Sequence, residues 1–405
     1  MQVAVLGCGV VGRGTVDLLV GNAESIAARV GSPVTVKYIL ERRELPDCPY
    51  ADKLVKEFDV IVNDPEVDIV IEAMGGSHPA YEFSLRALKA GKHVVTSNKE
   101  VVANFGIELL SAAEAHGVQY LFEASVGGGI PVLHPIAEDL SGNVIDSISG
   151  ILNGTTNFIL TEMFEAGKSF EDALADAQAR GYAEANPAAD IEGLDACRKI
   201  AILTAVATGK LVRTERIHTE GITAIRAEDV AAAEKLGYGI KLLGRMLRTT
   251  VGDLFLMVAP FFVPKASPLY TVSGVFNGVL VHGNFVDDVL FFGRGAGAAP
   301  TASAMVGDVM HIAMGGGRIH PVWAPAAEED VTDFARFTTC HYLSMKGLDA
   351  NALEVLFGAT EILPMDGAVG FLTPELSEQE LNDKLSRADA AGGCLCAHIR
   401  LLSRA

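Results

Sequence analysis

Short apolar runs alternate with helix-length stretches through the first third of the chain. The strand candidates are the apolar runs at residues 2–6, 34–40, 68–73, 93–97 and 118–122. The helix candidates are residues 79–89 and 100–116, which have helical length and spacing. Because alternating strands and helices build a parallel sheet that is covered on both faces, the pattern predicts a doubly wound α/β domain.

The pattern changes after about residue 130. Longer helices follow with fewer strands between them, and a β-rich run then covers residues 239–292. Beyond about residue 330 the order becomes strand, helix, strand, helix, strand, with the helices expected at 349–357 and 374–387. The predicted domains are residues 1–130, on which residues 300–320 pack back, an α+β domain at 131–299, and a small βα module at 330–405.

Composition agrees with a folded, multidomain protein and narrows its partners. With 405 residues the chain exceeds the size at which one hydrophobic core keeps growing. Hydrophobic residues make up 49% and charged residues 20%, which is ordinary for globular proteins. The formal charge of −19 leaves no general basic face for a phosphate backbone, so nucleic acid is not expected as a partner.

Neither a membrane span nor a secretion signal is visible in the sequence. The longest uncharged stretch, residues 266–286, is interrupted by Pro268, several glycines and His282, and the chain opens directly on an apolar strand. Six cysteines are scattered along the chain, and Cys394 and Cys396 alternate like one face of a strand. We expect a cytoplasmic protein with free thiols and no membrane partner.

A glycine-rich loop follows the first predicted strand. It reads Gly7-Cys8-Gly9-Val10-Val11-Gly12 and leads into a helical stretch at residues 13–20. Gly7 permits a tight turn, Gly9 lets the backbone approach a pyrophosphate, and Gly12 lets the helix pack close to the strand. The free amides at the start of that helix attract the anion. The loop therefore predicts a dinucleotide site.

The end of the second predicted strand bears on which cofactor is bound. An acid such as Glu41 would hold the ribose 2′-hydroxyl of NAD, whereas Arg42 or Arg43 would hold the 2′-phosphate of NADP. Guanidinium groups make charge-assisted and often bidentate contacts with phosphate. Two adjacent arginines therefore favour NADP, and Glu41 leaves NAD possible.

Several further strings resemble those of the homoserine dehydrogenase family and occur in the family's order over roughly residues 1–320. They are EAMGG (72–76), TSNK (96–99), EASVGGGIP (123–131), GILNGTTN (150–157), GYAE (181–184), DIEGLDACRK (190–199) and GRGAG (293–297). The resemblance implies an NAD(P)-dependent oxidoreductase that reversibly reduces L-aspartate 4-semialdehyde to L-homoserine in threonine, methionine and isoleucine biosynthesis. It also implies a Rossmann domain, a catalytic and dimerisation domain, and a homodimer or homotetramer.

Two lysines are candidates for the proton transfer. Lys199 matches the family's catalytic lysine, and Asp195 precedes it by four residues, so both side chains share one helix face. From the residues alone, such a pair is usually a solvated helix ion pair. The apolar residues 200–203 indicate a buried helix, in which a lysine can lose proton affinity and become a useful acid. The resemblance implies Lys199 as the general acid and Lys99, at a predicted strand end, as a cofactor or substrate contact, although the sequence leaves open which lysine delivers the proton.

The resemblance also implies contacts for the substrate, the cofactor and a metal ion. Glu184 and Asp190 match positions that hold the substrate's amino group, next to Asp195 and Lys199. The implied cofactor contacts beyond the glycine loop are Gly75, Ser97, Lys99 and Gly295. A monovalent cation such as sodium is implied at Glu123, Val126, Gly128 and Ile130, largely through backbone carbonyl oxygens, which suit hard cations.

Two other functions share part of this pattern. Another small amino-acid dehydrogenase would share the glycine loop, and a nucleotide-sensing regulatory protein with a defunct site would share the fold. The string around Asp195 and Lys199 argues against the first, and the presence of both Lys99 and Lys199 argues against the second.

The tail resembles an ACT-type amino-acid-binding module, as found in many family members. Residues 348–352 lack the glycine that lets the backbone approach a ligand in that module, which argues against threonine feedback. The tail is a candidate for subunit contacts, and the β-rich run before it is the stronger candidate for the main subunit interface.

Overall fold

The computed structural model describes residues 1–365 and 367–403 of the chain. In chain order its strands are β1 (Gln2–Leu6), β2 (Thr35–Leu40), β3 (Leu54–Val55), β4 (Val67–Glu72), β5 (His93–Thr96), β6 (Tyr120–Leu121), β7 (Ile145–Ile151), β8 (Lys210–Leu211), β9 (His218–Thr219), β10 (Tyr238–Arg248), β11 (Leu254–Pro264), β12 (Phe276–Gly283), β13 (Asp287–Arg294), β14 (Ala324–Pro325), β15 (Thr338–Thr339), β16 (His341–Lys346), β17 (Thr360–Met365), β18 (Ala368–Leu372), β19 (Leu376–Ser377) and β20 (Cys394–Leu401). Its α-helices are α1 (Val10–Gly21), α2 (Ala23–Val30), α3 (Phe58–Val62), α4 (Ala80–Lys89), α5 (Lys99–Ala115), α6 (Leu133–Ala137), α7 (Gly154–Ala166), α8 (Phe170–Ala179), α9 (Ala188–Ile191), α10 (Leu194–Thr208), α11 (Ala227–Leu236), α12 (Ala298–Ala313), α13 (Ala350–Phe357) and α14 (Glu378–Ala390).

The chain divides into two compact units. The first comprises Met1–Asn143, Ala201–Arg213 and Gly293–Ala326, and the second comprises Val144–Ile200, Thr214–Phe292 and the residues from 327 onward. The helix α12 thus belongs to the first unit, with the N-terminal strands. The three-domain division at 1–130, 131–299 and 330–405 stays a prediction.

The first unit contains a six-stranded sheet in the order β3-β2-β1-β4-β5-β6. All of its pairings are parallel. The strand order reverses between β1 and β4, and ligands of such sheets bind beyond the carboxyl ends of the strands at that point. The doubly wound α/β fold predicted from the apolar runs is confirmed, with β6 shorter than expected.

The second unit is built on a mixed sheet in the order β13-β12-β7-β10-β11-β20-β16-β18-β17, with β9 beside β11. The strands β10 and β11 pair antiparallel along their whole length. The tail continues this sheet because β20 pairs with β11 through Phe261↔Arg400 and Phe262↔Leu401. Between the two tail helices, β17 and β18 form an antiparallel pair where the sequence predicted one strand.

Close packing on β10 determines where α10 lies. A Cβ added to Gly244 of β10 would come 2.8 Å from Leu152 Cδ1 and 3.2 Å from Ile200 Cβ. Gly244 also pairs with Gly150 of β7. Glycine at this contact therefore lets the helix approach the sheet closely.

None of the helices in the described part of the chain combines the length and the apolar character that a membrane span requires.

Candidate active site

Asp195 and Lys199 lie one turn apart on α10, and both are buried. The Nζ atom of Lys199 donates to Asp195 Oδ2 at 2.7 Å and to the backbone carbonyl of Leu152 at 2.7 Å. The pair is thus an interior ion pair and not a solvated helix pair. Removing one partner from such a pair leaves a buried charge without compensation.

Asn153 links this ion pair to a second carboxylate. Its Oδ1 atom accepts from Thr156 N at 2.9 Å and caps α7. Its Nδ2 atom donates to Asp195 Oδ2 at 2.9 Å and to Asp190 Oδ1 at 2.7 Å. One side-chain amide therefore holds Asp190 of α9 beside the Asp195 and Lys199 pair of α10.

Asn153 was not among the site residues predicted from the sequence. It appears there within the GILNGTTN string, where its only visible signal is membership of that string. Its partners are 37 and 42 positions away in the chain, so no local spacing reveals the contact.

Glu184 is exposed in the stretch between α8 and α9. Gln178 Nε2 donates to its backbone carbonyl at 3.2 Å. The stretch is tied to α7 because Thr155 Oγ1 donates to the carbonyl of Tyr182 at 2.6 Å. The Glu184 carboxylate forms no ion pair or hydrogen bond with the part of the chain that the structure describes, so the structure does not bring it into contact with Asp190.

The cluster of Asn153, Asp190, Asp195 and Lys199 has a definite chemical capacity. A lysine ammonium can give a proton to a carbonyl oxygen and later recover it. Aspartate carboxylates can hold a cationic amino group through charge-assisted hydrogen bonds. The arrangement therefore suits a small substrate that carries both a carbonyl and an ammonium group.

The glycine-rich loop of the first unit has the geometry of a phosphate turn. Gly7 adopts a φ of 94°, and a Cβ there would come 2.9 Å from Ala73 O. A Cβ on Gly12 would come 2.0 Å from Gly7 O, whereas a Cβ on Gly9 would meet nothing within 4 Å. No side chain caps the start of α1 at Val10. The loop therefore leaves space and free amides where an anion would approach.

Glu41 and Arg43 form an ion pair at the end of β2. Arg43 Nε and NH2 donate to the two carboxylate oxygens of Glu41 at 3.0 and 2.7 Å, and Cys8 N donates to Glu41 Oε2 at 3.2 Å. The hydrogen bond from Arg43 lowers the pKa of Glu41 to about 2 against the effect of its burial. Arg42 is exposed. Both a carboxylate and guanidinium groups are thus available where a ribose 2′-substituent binds in such folds.

Glu72, at the end of β4, is a fully buried carboxyl group that forms no ion pair with any residue in the described part of the chain. Its two oxygens accept from Met74 N and Thr96 Oγ1, both at 2.6 Å. Burial raises the pKa of Glu72 to about 7, since the neutral donors only partly offset the loss of hydration. The group joins the loop after β4 to the end of β5.

The predicted contacts Gly75, Ser97 and Lys99 lie on these same two loops. Asn98 caps α5 through Val101 N at 3.2 Å, and its Nδ2 donates to the carbonyl of Gly76 at 2.8 Å. Lys99 is the first residue of α5. The structure therefore brings the EAMGG and TSNK strings together beside the carboxyl ends of β4 and β5.

The predicted cation residues occupy a buried turn. The carboxylate of Glu123 accepts from the three backbone amides of residues 132–134 at 2.6 to 2.9 Å. The carbonyl oxygens of Val126, Gly128 and Ile130 accept no hydrogen bond from any described residue, although all three residues are buried. Buried carbonyl groups without donors fit a hard monovalent cation.

Gly295 lies against this turn. A Cβ on Gly128 would come 2.5 Å from Gly295 O, and Gly129 N donates to the carbonyl of Arg294 at 3.2 Å. The structure thus places Gly295 beside the turn at Gly128.

Two family models match the chain. The model of the homoserine dehydrogenase NAD-binding domain matches residues 7–123, and the homoserine dehydrogenase model matches residues 131–310. The homoserine dehydrogenase of Synechocystis is 45% identical over 318 residues, which are 77% of this chain and 73% of that protein. The one of Mycobacterium tuberculosis is 40% identical over 354 residues, which are 86% of this chain and 80% of that protein.

Solved structures agree with these matches. A homoserine dehydrogenase from Thiobacillus denitrificans superimposes with a TM-score of 0.92 at 37% identity, covering 100% of this chain and 98% of that one. A hyperthermophilic archaeal homoserine dehydrogenase in complex with NADPH superimposes with a TM-score of 0.67 at 25% identity, covering 79% of this chain and 99% of that one.

Proposed function

The chain belongs to the homoserine dehydrogenase family, and we propose that Lys199 supplies the proton in the reaction that defines this family. That reaction is the NAD(P)-dependent, reversible reduction of L-aspartate 4-semialdehyde to L-homoserine. The buried ion pair of Lys199 and Asp195, held by Asn153, is the observation that carries the proposal.

Lys199 donates a proton to the carbonyl oxygen as the aldehyde becomes an alcohol, and it accepts that proton in the reverse oxidation. Asp195 and the Leu152 carbonyl hold its ammonium group in one orientation, so little reorganisation is needed at the moment of transfer. When bound, a reduced nicotinamide would supply the hydride for this reduction. Lys99 serves as a cofactor or substrate contact in this scheme.

Asp190 holds the substrate's ammonium group, and Glu184 joins it from its exposed position. The Asn153 amide directs the Asp190 carboxylate by donating to Oδ1, and a carboxylate in this position suits a cationic amino group. Glu184 lies on an exposed stretch, so its carboxylate is accessible to a substrate.

NADP is the preferred cofactor, and NAD is the weaker alternative. Arg42 is exposed and carries a guanidinium group that suits a 2′-phosphate, while Glu41 is engaged by Arg43. Gly7, Gly9, Gly12 and the amides of Val10 and Val11 hold the pyrophosphate. The NADPH complex of the archaeal relative supports this choice.

A monovalent cation such as sodium and a second subunit complete the proposed enzyme. The carbonyl groups of Val126, Gly128 and Ile130 hold the cation, and Glu123 braces the turn through the amides of residues 132–134. Phe292 lies on the edge strand β13, Phe285 lies just before it, and both aromatic side chains are exposed. This exposure supports a homodimer or homotetramer built on this sheet.

The test is an assay that follows the absorbance of NADPH or NADH with aspartate semialdehyde in the presence of sodium or potassium. We expect wild-type turnover to fall about a hundredfold to ten-thousandfold in Lys199→Ala. Arg198→Ala, the adjacent cation on α10, is the matched control and keeps turnover near wild type. Nucleotide binding measured by fluorescence stays unchanged in both variants. Turnover retained in Lys199→Ala but lost in Lys99→Ala would transfer the proton-donor role to Lys99.

A further inference from the structure

A group of imidazole and carboxylate side chains lies in the C-terminal part of the second unit, and the proposed reaction does not use it. His341 on β16, His398 on β20 and Glu378, the first residue of α14, each present one possible metal-ligating atom, and these atoms lie within 4.8 Å of one another. His341 Nδ1 and His398 Nε2 are 3.0 Å apart. His341 and Glu378 are buried.

The distance between the two imidazole nitrogens suits a shared ion. Zinc bound tetrahedrally at about 2.0 to 2.1 Å from each nitrogen separates two ligand nitrogens by about 3.3 Å. The contact would need to open by only a few tenths of an ångström. Two imidazole nitrogens and one carboxylate oxygen are a ligand set that zinc accepts, with a water in the fourth position.

Groups behind the three ligands hold them in place. His341 Nε2 donates to the carbonyl of Leu376 at 3.1 Å, which turns Nδ1 toward His398. The carboxylate of Glu378 accepts from Arg400 Nε at 2.6 Å and from Arg400 NH2 at 3.1 Å. Metal-binding histidines commonly donate their other nitrogen to a carbonyl, and metal-binding carboxylates are commonly held by a further donor.

Charge in the cluster also favours a cation. Arg400 faces two carboxylates, because its NH1 and NH2 atoms donate to Glu220 at 2.9 and 2.8 Å in addition to the contacts with Glu378. Glu220 also lies within ion-pair distance of His218 Nε2, so the set places two carboxylates against the one permanent positive charge of Arg400.

We propose that His341, His398 and Glu378 form a binding site for one divalent transition-metal ion of the zinc class. The bound ion joins β16, β20 and the start of α14. Since β20 is also the strand that pairs with β11, the ion stiffens the place where the tail continues the main sheet. Its effect is on stability and on the order of the tail, and not on the chemistry at Lys199.

The experiment is a zinc titration of the full-length, chelator-stripped protein in competition with a chromogenic zinc chelator. The variants are His398→Ala and Glu378→Gln. His282→Ala is the matched control, because His282, Asp287 and Asp288 form a second, surface group of possible ligands in the same unit. Cobalt(II) added to the same samples reports the coordination geometry by its visible absorption.

Wild type and His282→Ala should each bind one tight equivalent of zinc, which raises the thermal midpoint. His398→Ala and Glu378→Gln should each lose about tenfold or more in affinity. If His398→Ala fails to fold, Glu378→Gln decides, since an amide oxygen can still accept from Arg400. No tight equivalent in wild type, or equal binding in Glu378→Gln, would overturn the proposal and leave the cluster as an ion network of the fold.

Discussion

Each unit of the molecule buries a carboxyl group beside its functional loop, but the two groups are compensated differently. Glu72 of the first unit accepts from neutral donors, among them the Met74 amide and the Thr96 hydroxyl. Asp195 of the second unit accepts from the ammonium group of Lys199 and the amide of Asn153. One carboxyl group is therefore held by dipoles and the other by a full positive charge.

This difference predicts which of the two carboxylate charges can be removed without loss of stability. Neutral donors do not fully replace water around a carboxylate, and the pKa of Glu72 accordingly rises to about 7. Asp195 has a counter-ion, and the two charges support each other only as long as both remain. We therefore expect removal of charge to be tolerated at Glu72 and harmful at Asp195.

Asp195→Asn should give the larger effect. The substitution leaves the Lys199 ammonium buried without its carboxylate, which costs about 3 to 5 kcal/mol of stability. We expect Asp195→Asn to have a lower midpoint in thermal unfolding and to lose turnover in the activity assay. The double variant Asp195→Asn/Lys199→Met removes both charges and should regain most of the stability while remaining inactive. If Asp195→Asn alone is as stable as wild type, Asp195 does not stabilise the charge of Lys199.

Glu72→Gln should have a smaller effect that depends on pH. The pKa of this carboxyl group rises from 4.5 to about 7 on folding, so only the folded state holds the proton between these values. Stability contributed by the group is therefore full below pH 4.5 and is lost as the pH rises to about 7, by about 3 kcal/mol. Glutamine carries no charge to bury.

The measurement for Glu72→Gln is the thermal midpoint at pH 5 and at pH 8 against wild type. We expect similar midpoints at pH 5 and a higher midpoint for the variant at pH 8. A midpoint that falls at both pH values would mean that Glu72 is needed as a carboxylate.

The two regions also differ in how far the sequence predicts them. The turn at Gly7, Gly9 and Gly12 depends on backbone conformation within six residues, so the local pattern contains all of its information. The four-residue spacing of Asp195 and Lys199 predicts a shared helix face for the same reason. Burial of Glu72 and its shifted pKa depend on the packing of whole strands, which no local pattern contains.

The features that the sequence did not predict depend on contacts between segments that are distant in the chain. Asn153 reaches Asp190 and Asp195 from another helix, and only the fold brings them together. In the tail, the order strand, helix, strand, helix, strand predicted a single strand between the two helices, whereas β17 and β18 form a pair. The segment contains Asp366-Gly367 between two apolar runs, which is a typical hairpin signal that could have predicted the second strand.

Asn153→Ala should weaken the link between the two aspartates. Loss of the amide removes the hydrogen bonds from Asn153 to Asp190 and Asp195 and allows Lys199 to change its orientation. We expect kcat/KM to fall on the order of tenfold to a hundredfold, with a displaced pH profile, in addition to about 1 kcal/mol of stability from the lost helix cap.

Ser169→Ala is the matched control for Asn153→Ala. Ser169 caps α8 in the same unit by accepting from Asp172 N at 3.1 Å. That variant should lose comparable stability but keep the wild-type pH profile. Equal kinetics in the two variants would reduce Asn153 to a helix cap.

Gly9→Ala should give the smallest effect and should be confined to the cofactor. A Cβ on Gly9 meets nothing within 4 Å, so the free protein should keep its thermal midpoint. A bound pyrophosphate approaches the backbone at this residue, and the methyl group should weaken nucleotide binding on the order of tenfold, or about 1.4 kcal/mol. Gly21→Ala adds a methyl group that also meets nothing within 4 Å, at the far end of α1, and should leave binding unchanged. Fluorescence titration with the nucleotide measures the affinity of both variants. Equal affinity in both variants would place the pyrophosphate away from Gly9. A lowered thermal midpoint in Gly9→Ala alone would mean that the glycine is needed for the fold of the loop.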